Sequence, residues 1–159
     1  MLRRTVTIGV VSTPVIALLA VVALLACAQL GGGWYEHRVV DPVWPSRPAI
    51  VQPQNGGVSR RRFWIPAHAA FEVALIVGLI VGWSQSPVRA ALLVAVASHA
   101  AMRIWSFADF SPKAVRFEKA DPATIDRDAA AKWSRRRLFL LPLDVITCAA
   151  TLTALIAAA

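Results

Sequence analysis

Residues 63–83 read FWIPAHAAFEVALIVGLIVGW, an apolar stretch long enough to cross a bilayer as a helix. His68 and Glu72 interrupt it. Ionisable groups are costly in hydrocarbon, so we interpret these two as parts of an interior site. Two further apolar stretches carry groups of the same kind, and these are His99, Arg103 and Asp144. Ionisable side chains within membrane-spanning stretches are therefore the main indication of function.

The composition fits a small integral membrane protein. The chain has 159 residues, of which 57% are hydrophobic, and this is too apolar for an ordinary soluble domain. The length allows a single domain, residues 1–159. The net charge is +8, but there is no RNA-binding motif and no basic helix with stacking aromatic residues. We therefore predict no nucleic-acid partner.

The apolar stretches predict four membrane spans, at about 8–30, 63–83, 88–110 and 138–157. The turn at 84–87 is short, so the fold class that we expect is all-α, an antiparallel bundle of four transmembrane helices. Pro112 is expected to end the third span. A short helix capped by Asp121 and opened by Pro122 is expected to lead into the fourth. A long loop, 31–62, follows the first.

Most of the Lys and Arg residues lie in two long loops, 31–62 and 111–136. The positive-inside rule then places both loops in the cytoplasm and both termini outside, in a multi-pass membrane protein. Arg3 and Arg4 before the first span resemble the start of a secretory signal. The apolar run that follows is longer than the hydrophobic region of a signal peptide, which has ~7–15 residues. We therefore expect the run to remain as a span.

Spacing and depth bring the ionisable groups together. His68 and Glu72 are four residues apart, as are His99 and Arg103, so each pair lies on one helix face. In an antiparallel bundle these four groups and Asp144 share one half of the membrane. Glu36 lies at the surface of that half, just after the first span. We predict a pocket that opens towards the long loops. The candidate catalytic residues are Glu36, His68, Glu72, His99, Arg103 and Asp144.

Aromatic and polar residues near the same mouth are candidates for substrate binding. They are Trp34, Tyr35, Trp64, Ser106 and Phe110. The predicted partners are the lipid bilayer and a small hydrophobic molecule, and a bundle of this size is compatible with a homo-oligomer. Cys27 and Cys148 are interpreted as small core residues at different depths and not as a disulfide.

A metal site is an alternative interpretation of the same groups. If a metal is present, the ligand types suited to iron, copper or zinc are His68, Glu72, His99 and Glu36. The paired Glu-x-x-His motifs of di-iron bundles are absent from the sequence. No recognised organic cofactor motif occurs either.

Several segments together resemble a known family. They are GGGWYEHRVVDPVW at 31–44, FWIPAH at 63–68, Arg103, Phe110-Ser111-Pro112, and Trp133 followed by Arg135–Arg137. The chain resembles the small four-helix membrane proteins grouped with the anthrone oxygenases of polyketide pathways, many of which are uncharacterised. The resemblance implies oxidation of an electron-rich phenol such as an anthrone to a quinone, with O₂ as co-substrate and no organic cofactor.

On this resemblance, Glu36, His68 and Arg103 occupy the matching functional positions, whereas His99 and Asp144 are assigned by depth alone. The mechanism that we infer is base catalysis. A carboxylate or imidazole removes an acidic proton, and Arg103 stabilises the resulting anion, which reacts with O₂. Two other functions stay open. One is a non-enzymatic membrane subunit or small carrier with a structural polar core, and the other is a metal-dependent membrane oxidoreductase.

Overall fold

The computed structural model describes residues 12–159, and all the regular structure in that range is helical. Arg3, Arg4 and residues 8–11 of the predicted first span lie outside the described residues. The residues in this range form six α-helices: α1 Thr13–Tyr35, α2 Arg61–Val81, α3 Ser86–Trp105, α4 Ser111–Lys119, α5 Arg127–Arg137 and α6 Leu141–Ala158. The all-helical fold class is confirmed for the described part of the chain.

Four continuous helical segments are long and apolar enough to cross a membrane, as predicted. They run Thr13–Val40, Arg61–Val81, Ser86–Lys119 and Arg127–Ala158. Their outer faces expose large apolar side chains such as Leu24, Ile80 and Ile156, which is typical of a surface that faces lipid. Helix α6 packs against α1 and α3, and α2 packs against the same two helices.

The first span extends beyond its predicted end at residue 30. Helix α1 continues through Gly31–Gly33 to Tyr35 and then widens into a π-helical turn, Glu36–Val40. A Cβ added at Gly32 would lie 2.6 Å from the Phe63 ring, so α1 and α2 approach each other closely here. Packing therefore overrides the low helix propensity of glycine.

The helix of the third predicted span does not end at Pro112, contrary to the prediction. A second π-helical turn, Ser106–Phe110, follows α3, and Pro112 lies in the first turn of α4. The missing N–H of proline is harmless at the start of a helix, and the preceding wide turn breaks the regular α-helical ladder. The helical segment thus continues to Lys119.

The helix before the fourth span begins later than predicted. Asp121 accepts a hydrogen bond from the Ala123 N–H but caps only a 3₁₀ turn, Pro122–Thr124. Asp126 is the N-cap of α5, because its carboxylate accepts from the backbone N–H groups of Asp128 and Ala129. One 3₁₀ turn, Leu138–Leu140, then joins α5 to α6.

The connection between α1 and α2 is folded onto the rest of the protein. Trp44 is fully buried, and its indole N–H donates to the Ser134 hydroxyl at 2.8 Å. The side-chain amide of Gln52, also fully buried, donates to the carbonyls of Phe117 and Ala120. These bonds hold the connection against α4 and α5, so it forms part of the wall of the site described below.

The prediction that Cys27 and Cys148 lie at different depths is wrong. Their sulfur atoms are 3.3 Å apart, with Cys27 on α1 and Cys148 on α6. Both thiols are free. The arrangement makes them a native reporter of how α1 and α6 pack, because only closely apposed thiols form a disulfide without backbone movement.

We expect mild oxidation of the membrane-embedded protein with copper phenanthroline to join Cys27 and Cys148 within one chain. The measurement is alkylation by iodoacetamide, which should fall from two thiols to none and recover after reduction. Cys27→Ser is the control and should keep one alkylatable thiol. Persistent labelling of both thiols after oxidation would contradict the packing of α1 on α6.

Candidate functional site

One end of the helical assembly contains a cavity of about 480 Å³. Residues from α1, its π-turn, α2, α3, α4, α5 and α6 line it, together with Asp41, Val51 and Arg60 from the connection. Along α2 it extends from Arg61 to Glu72, a helical rise of about 16 Å. Its volume falls within the roughly 300–1,000 Å³ of small-molecule sites.

Both π-helical turns border this cavity. Glu36 begins one turn and Ser106 begins the other, and both side chains belong to the lining. A π-turn shifts the register of the side chains that follow it, and such turns occur frequently at functional sites. Here they are the local features that present residues of α1 and α3 to the same space.

Glu72 is the centre of a polar cluster between α2 and α3. The Nε–H of Arg103 donates to Glu72 Oε1 at 2.8 Å, and His99 Nε2 lies 3.3 Å from the same oxygen. Arg103 also lies over the Phe107 ring, 4.3 Å from its centroid. The i,i+4 spacing predicted from the sequence places His99 and Arg103 on the face of α3 that meets Glu72.

His68 adds a second imidazole to this cluster. Its ring stacks on Trp64, with centroids 5.3 Å apart and an interplanar angle of 24°, and its centroid is 5.7 Å from that of His99. Each residue of the set His68, Glu72 and His99 offers one potential ligand atom. These three atoms lie within 4.8 Å of one another. Three of the four residues predicted as metal ligands are thus adjacent, whereas Glu36 belongs to a different cluster.

Glu36 is buried in an ion-pair network nearer the connection. Arg137 donates to Glu36 Oε2 at 2.6 Å and lies 3.5 Å from Asp41 Oδ1. The Trp64 indole N–H donates to Glu36 Oε1 at 2.8 Å, and Arg60 lies 3.9 Å from each of the two carboxylates. Both oxygens of Glu36 are therefore engaged.

Burial and charge act against each other in this network. Burial raises the pKa of Asp41 above its usual value, although Arg137 and Arg60 oppose the shift. Burial likewise lowers the pKa of Arg60, and the nearby Glu36 carboxylate opposes this. Two carboxylates and two guanidinium groups leave the network close to neutral, which is the arrangement that partly buried charges require.

Asp144 lines the cavity from α6 and makes no hydrogen bond or ion pair to any residue in 12–159. One of its carboxylate oxygens would lie 3.9 Å from a Cβ added at Gly33, so the absence of a side chain at Gly33 leaves space beside it. Asp144 therefore differs from Glu36 and Glu72, whose carboxylates are held by arginine.

The cavity walls also contain buried polar atoms that lack a partner within the described residues. They are Nδ1 of His37, Nδ1 of His68 and Nε1 of Trp133. Buried polar groups in proteins are normally hydrogen-bonded, so their clustering around one cavity is informative. These nitrogens are closed off from the cavity as it stands, so a ring rotation would have to precede any contact with a bound molecule or water.

The structure brings most of the predicted site residues to this cavity. Glu36, His68, Glu72, Arg103 and Asp144 line it, as do Trp64, Ser106 and Phe110. His99 lies behind the wall and contacts Glu72. In contrast, Trp34 and Tyr35 are 52% and 59% exposed and do not line the cavity, because they lie on another face of α1.

Several lining residues were not predicted as part of the site, among them Asp41, Arg60, Met102 and Trp133. Arg60 and Arg137 belong to basic runs that ordinarily mark the cytoplasmic ends of spans. Arg60 and Arg137 instead turn inward to Glu36 and Asp41. Their neighbours Arg61 and Arg136 pair with other carboxylates, those of Glu118 and Asp109. Only the positions of Glu36 and Asp41 in space distinguish Arg60 from its neighbours.

Comparisons with protein-family models, with curated proteins and with solved structures find no match for the chain. The resemblance to anthrone oxygenases therefore stays a prediction, and the site has to be interpreted from its own geometry.

We expect Glu36→Gln to lower the free energy of unfolding by about 2 kcal/mol or more. Breaking one side of a buried ion pair costs roughly 3–5 kcal/mol, and Asp41 still neutralises part of the Arg137 charge. The control is Glu118→Gln, which removes the more exposed pair with Arg61 and should change stability by less than about 1 kcal/mol. Denaturant unfolding in detergent micelles measures both. Equal losses of unfolding free energy in the two variants would show that the buried Glu36 pair stabilises the protein no more than the exposed Glu118 pair does.

Proposed function

We propose that this chain is a membrane-embedded enzyme that oxidises a small hydrophobic aromatic or phenolic molecule with O₂. The observation that carries the proposal is an unpaired carboxylate, Asp144, in the same cavity as the guanidinium of Arg103. An available base and a fixed cation in one low-dielectric pocket are the two components of proton abstraction with anion stabilisation.

The cavity is suited to a planar apolar substrate. Ile65, Phe107 and Phe110 supply apolar surface, while Arg103, Ser106 and Asp144 in the lining supply polar contacts for substituents such as hydroxyl or carbonyl groups. The charges around the cavity are mostly paired, which favours a neutral phenol over a strongly charged ligand. A pocket within the bilayer also draws hydrophobic molecules from the lipid.

In the proposed reaction, Asp144 takes a proton from an activated C–H or O–H bond of the substrate. Arg103 stabilises the anion, and His99 acts through Glu72 to hold Arg103 in place. For an anthrone-like methylene the balance is CH₂ + O₂ → C=O + H₂O. The carbon is oxidised, and O₂ is reduced, with one oxygen atom in the carbonyl and the other in water.

Glu72 is a weaker candidate for the base than sequence reasoning implied. Arg103 and His99 both contact its Oε1, so proton uptake there would disturb the ion pair. Asp144 has no such partner among the described residues. The division of roles that we propose is Asp144 as the base and Glu72 as the residue that positions Arg103.

A non-enzymatic structural role is the second candidate, and the ion pairs favour it. Glu36 with Arg137 and Glu72 with Arg103 join different helices, as expected of contacts that specify helix packing. Such a role does not explain the cavity or the unpaired Asp144, so we rank it below the enzymatic one.

We expect Asp144→Asn to lower turnover of hydroxylated anthrones by roughly 10²–10⁴-fold, the usual contribution of a general base. Quinone absorbance and O₂ consumption, corrected for uncatalysed autoxidation, provide the measurement. Asp109→Asn is the matched control, because Asp109 pairs with Lys113 and Arg136 and does not line the cavity. Its turnover should stay at the wild-type level. Full activity of folded Asp144→Asn, or no turnover of any phenol by the wild-type protein, would contradict the proposal.

We further infer that the four spans alternate in direction and that 41–60 and the region around α5 face the cytoplasm. Five arginines lie in or beside these segments at Arg60–Arg62, Arg135 and Arg136, which supports this orientation. The short turn between α2 and α3 would then lie on the opposite side.

Single cysteines introduced into a Cys27→Ser, Cys148→Ser background test this orientation in bacterial spheroplasts. We expect a membrane-impermeant maleimide to label Ser84→Cys in intact spheroplasts and Asn55→Cys only after lysis. Both positions are exposed. The reverse pattern would invert the topology, and labelling of both before lysis would contradict a spanning arrangement.

A further inference from the structure

We propose that His68, Glu72 and His99 form a binding site for one divalent first-row transition-metal ion at the inner end of the cavity. This inference goes beyond the proposed function, which names no metal. Two imidazoles and one carboxylate come from two helices, α2 and α3, that pack directly against each other.

Distance supports a shared ion. The three ligand atoms lie within 4.8 Å of one another, and His99 Nε2 is 3.3 Å from Glu72 Oε1. Ligands bonded at about 2.0–2.2 Å to one metal stand roughly 3–4 Å apart. The three atoms therefore lie within about 1 Å of the spacing that one shared ion requires.

An independent observation is the state of His68. Its Nδ1 is buried and has no hydrogen-bond partner among residues 12–159, while its ring is held against Trp64. An unsatisfied imidazole nitrogen that is kept in place by stacking is costly unless something binds it. A metal ion, which coordinates the lone pair of a neutral imidazole, would remove that cost.

The surroundings favour a site with open coordination positions. His68 and Glu72 line the cavity, so an ion bound there would be accessible from it, whereas His99 closes the site from behind with 5% exposure. Two histidines and one carboxylate with open positions is the donor set that suits iron(II) in particular. The bond from Arg103 Nε to Glu72 Oε1 orients the carboxylate, as outer-shell partners of metal ligands do.

Arg103 also sets a limit on affinity, because its positive charge opposes a second cation nearby. The carboxylate of Glu72 is shared between the two, and Asp144 is a further negative group in the same cavity. We therefore expect specific binding of one ion and not an extended cluster.

The test uses full-length protein with a histidine-free affinity tag, purified in detergent, treated with chelator and titrated with Co²⁺ alone. We expect one Co²⁺ per chain, with visible ligand-field absorption. His68→Ala and Glu72→Gln should weaken binding by about 100-fold or more, since even outer-shell changes cost roughly 10–100-fold. His37→Ala is the matched control, because His37 also lines the cavity but lies outside the cluster.

Size-exclusion elution and helical circular dichroism establish that each variant is folded, and Glu72→Gln keeps the shape of the side chain if His68→Ala does not fold. Absence of stoichiometric Co²⁺ in the wild-type protein would overturn the site. Equal affinity of His37→Ala and the folded cluster variants would also overturn it. Phenol oxidation by metal-free protein that binds no Co²⁺ would overturn the site and leave the proposed function intact. Specific Co²⁺ binding without oxidation of any phenol would support the metal site and contradict the proposed function.

Discussion

The requirement that charged groups in apolar helices find partners inside the protein governs this structure. Arg137 reaches Glu36 and Asp41, and Arg103 reaches Glu72. Lipid offers no hydrogen-bond partners, so each of these contacts determines which helix faces must meet. The ion pairs thus connect α1 with the α5–α6 segment and α2 with α3. The cavity is the space that remains between these connections, and the pairs add polar groups to walls that are mostly apolar.

Some polar groups among the described residues do not follow this pattern, and two of them are the basis for the chemistry that we propose. Asp144 makes no hydrogen bond or ion pair, and His68 keeps a buried nitrogen without a hydrogen bond, among the residues that the structure describes. A protein that used its polar residues only for packing would gain stability by satisfying them. Unsatisfied groups that border a cavity are better explained by a ligand, either the substrate that we propose or the metal ion that we infer.

The paired and unpaired groups divide the cavity into two regions with different properties. Near the connection, Glu36, Asp41, Arg60 and Arg137 form a nearly neutral network, which holds the walls together. Deeper along α2, the cluster of His68, Glu72 and His99 combines one ion pair with two imidazoles. The aromatic residue Trp64 links the regions, because it donates to Glu36 and stacks on His68. A substitution at Trp64 would therefore affect both.

The sequence by itself determined the helical class, the number of spans and the presence of ionisable groups within them. Apolar length and the i,i+4 spacing of His68 with Glu72 and of His99 with Arg103 follow from helix geometry alone. The tertiary structure decided the rest. It extended α1 through three glycines and carried the third span past Pro112, because packing and π-turns outweigh local propensity. It also selected Arg60 and Arg137 from runs of equivalent arginines and paired the thiols of Cys27 and Cys148. The pairs of Arg137 with Glu36 and of Cys27 with Cys148 join residues 101 and 121 positions apart in the chain, and no local pattern records such distances.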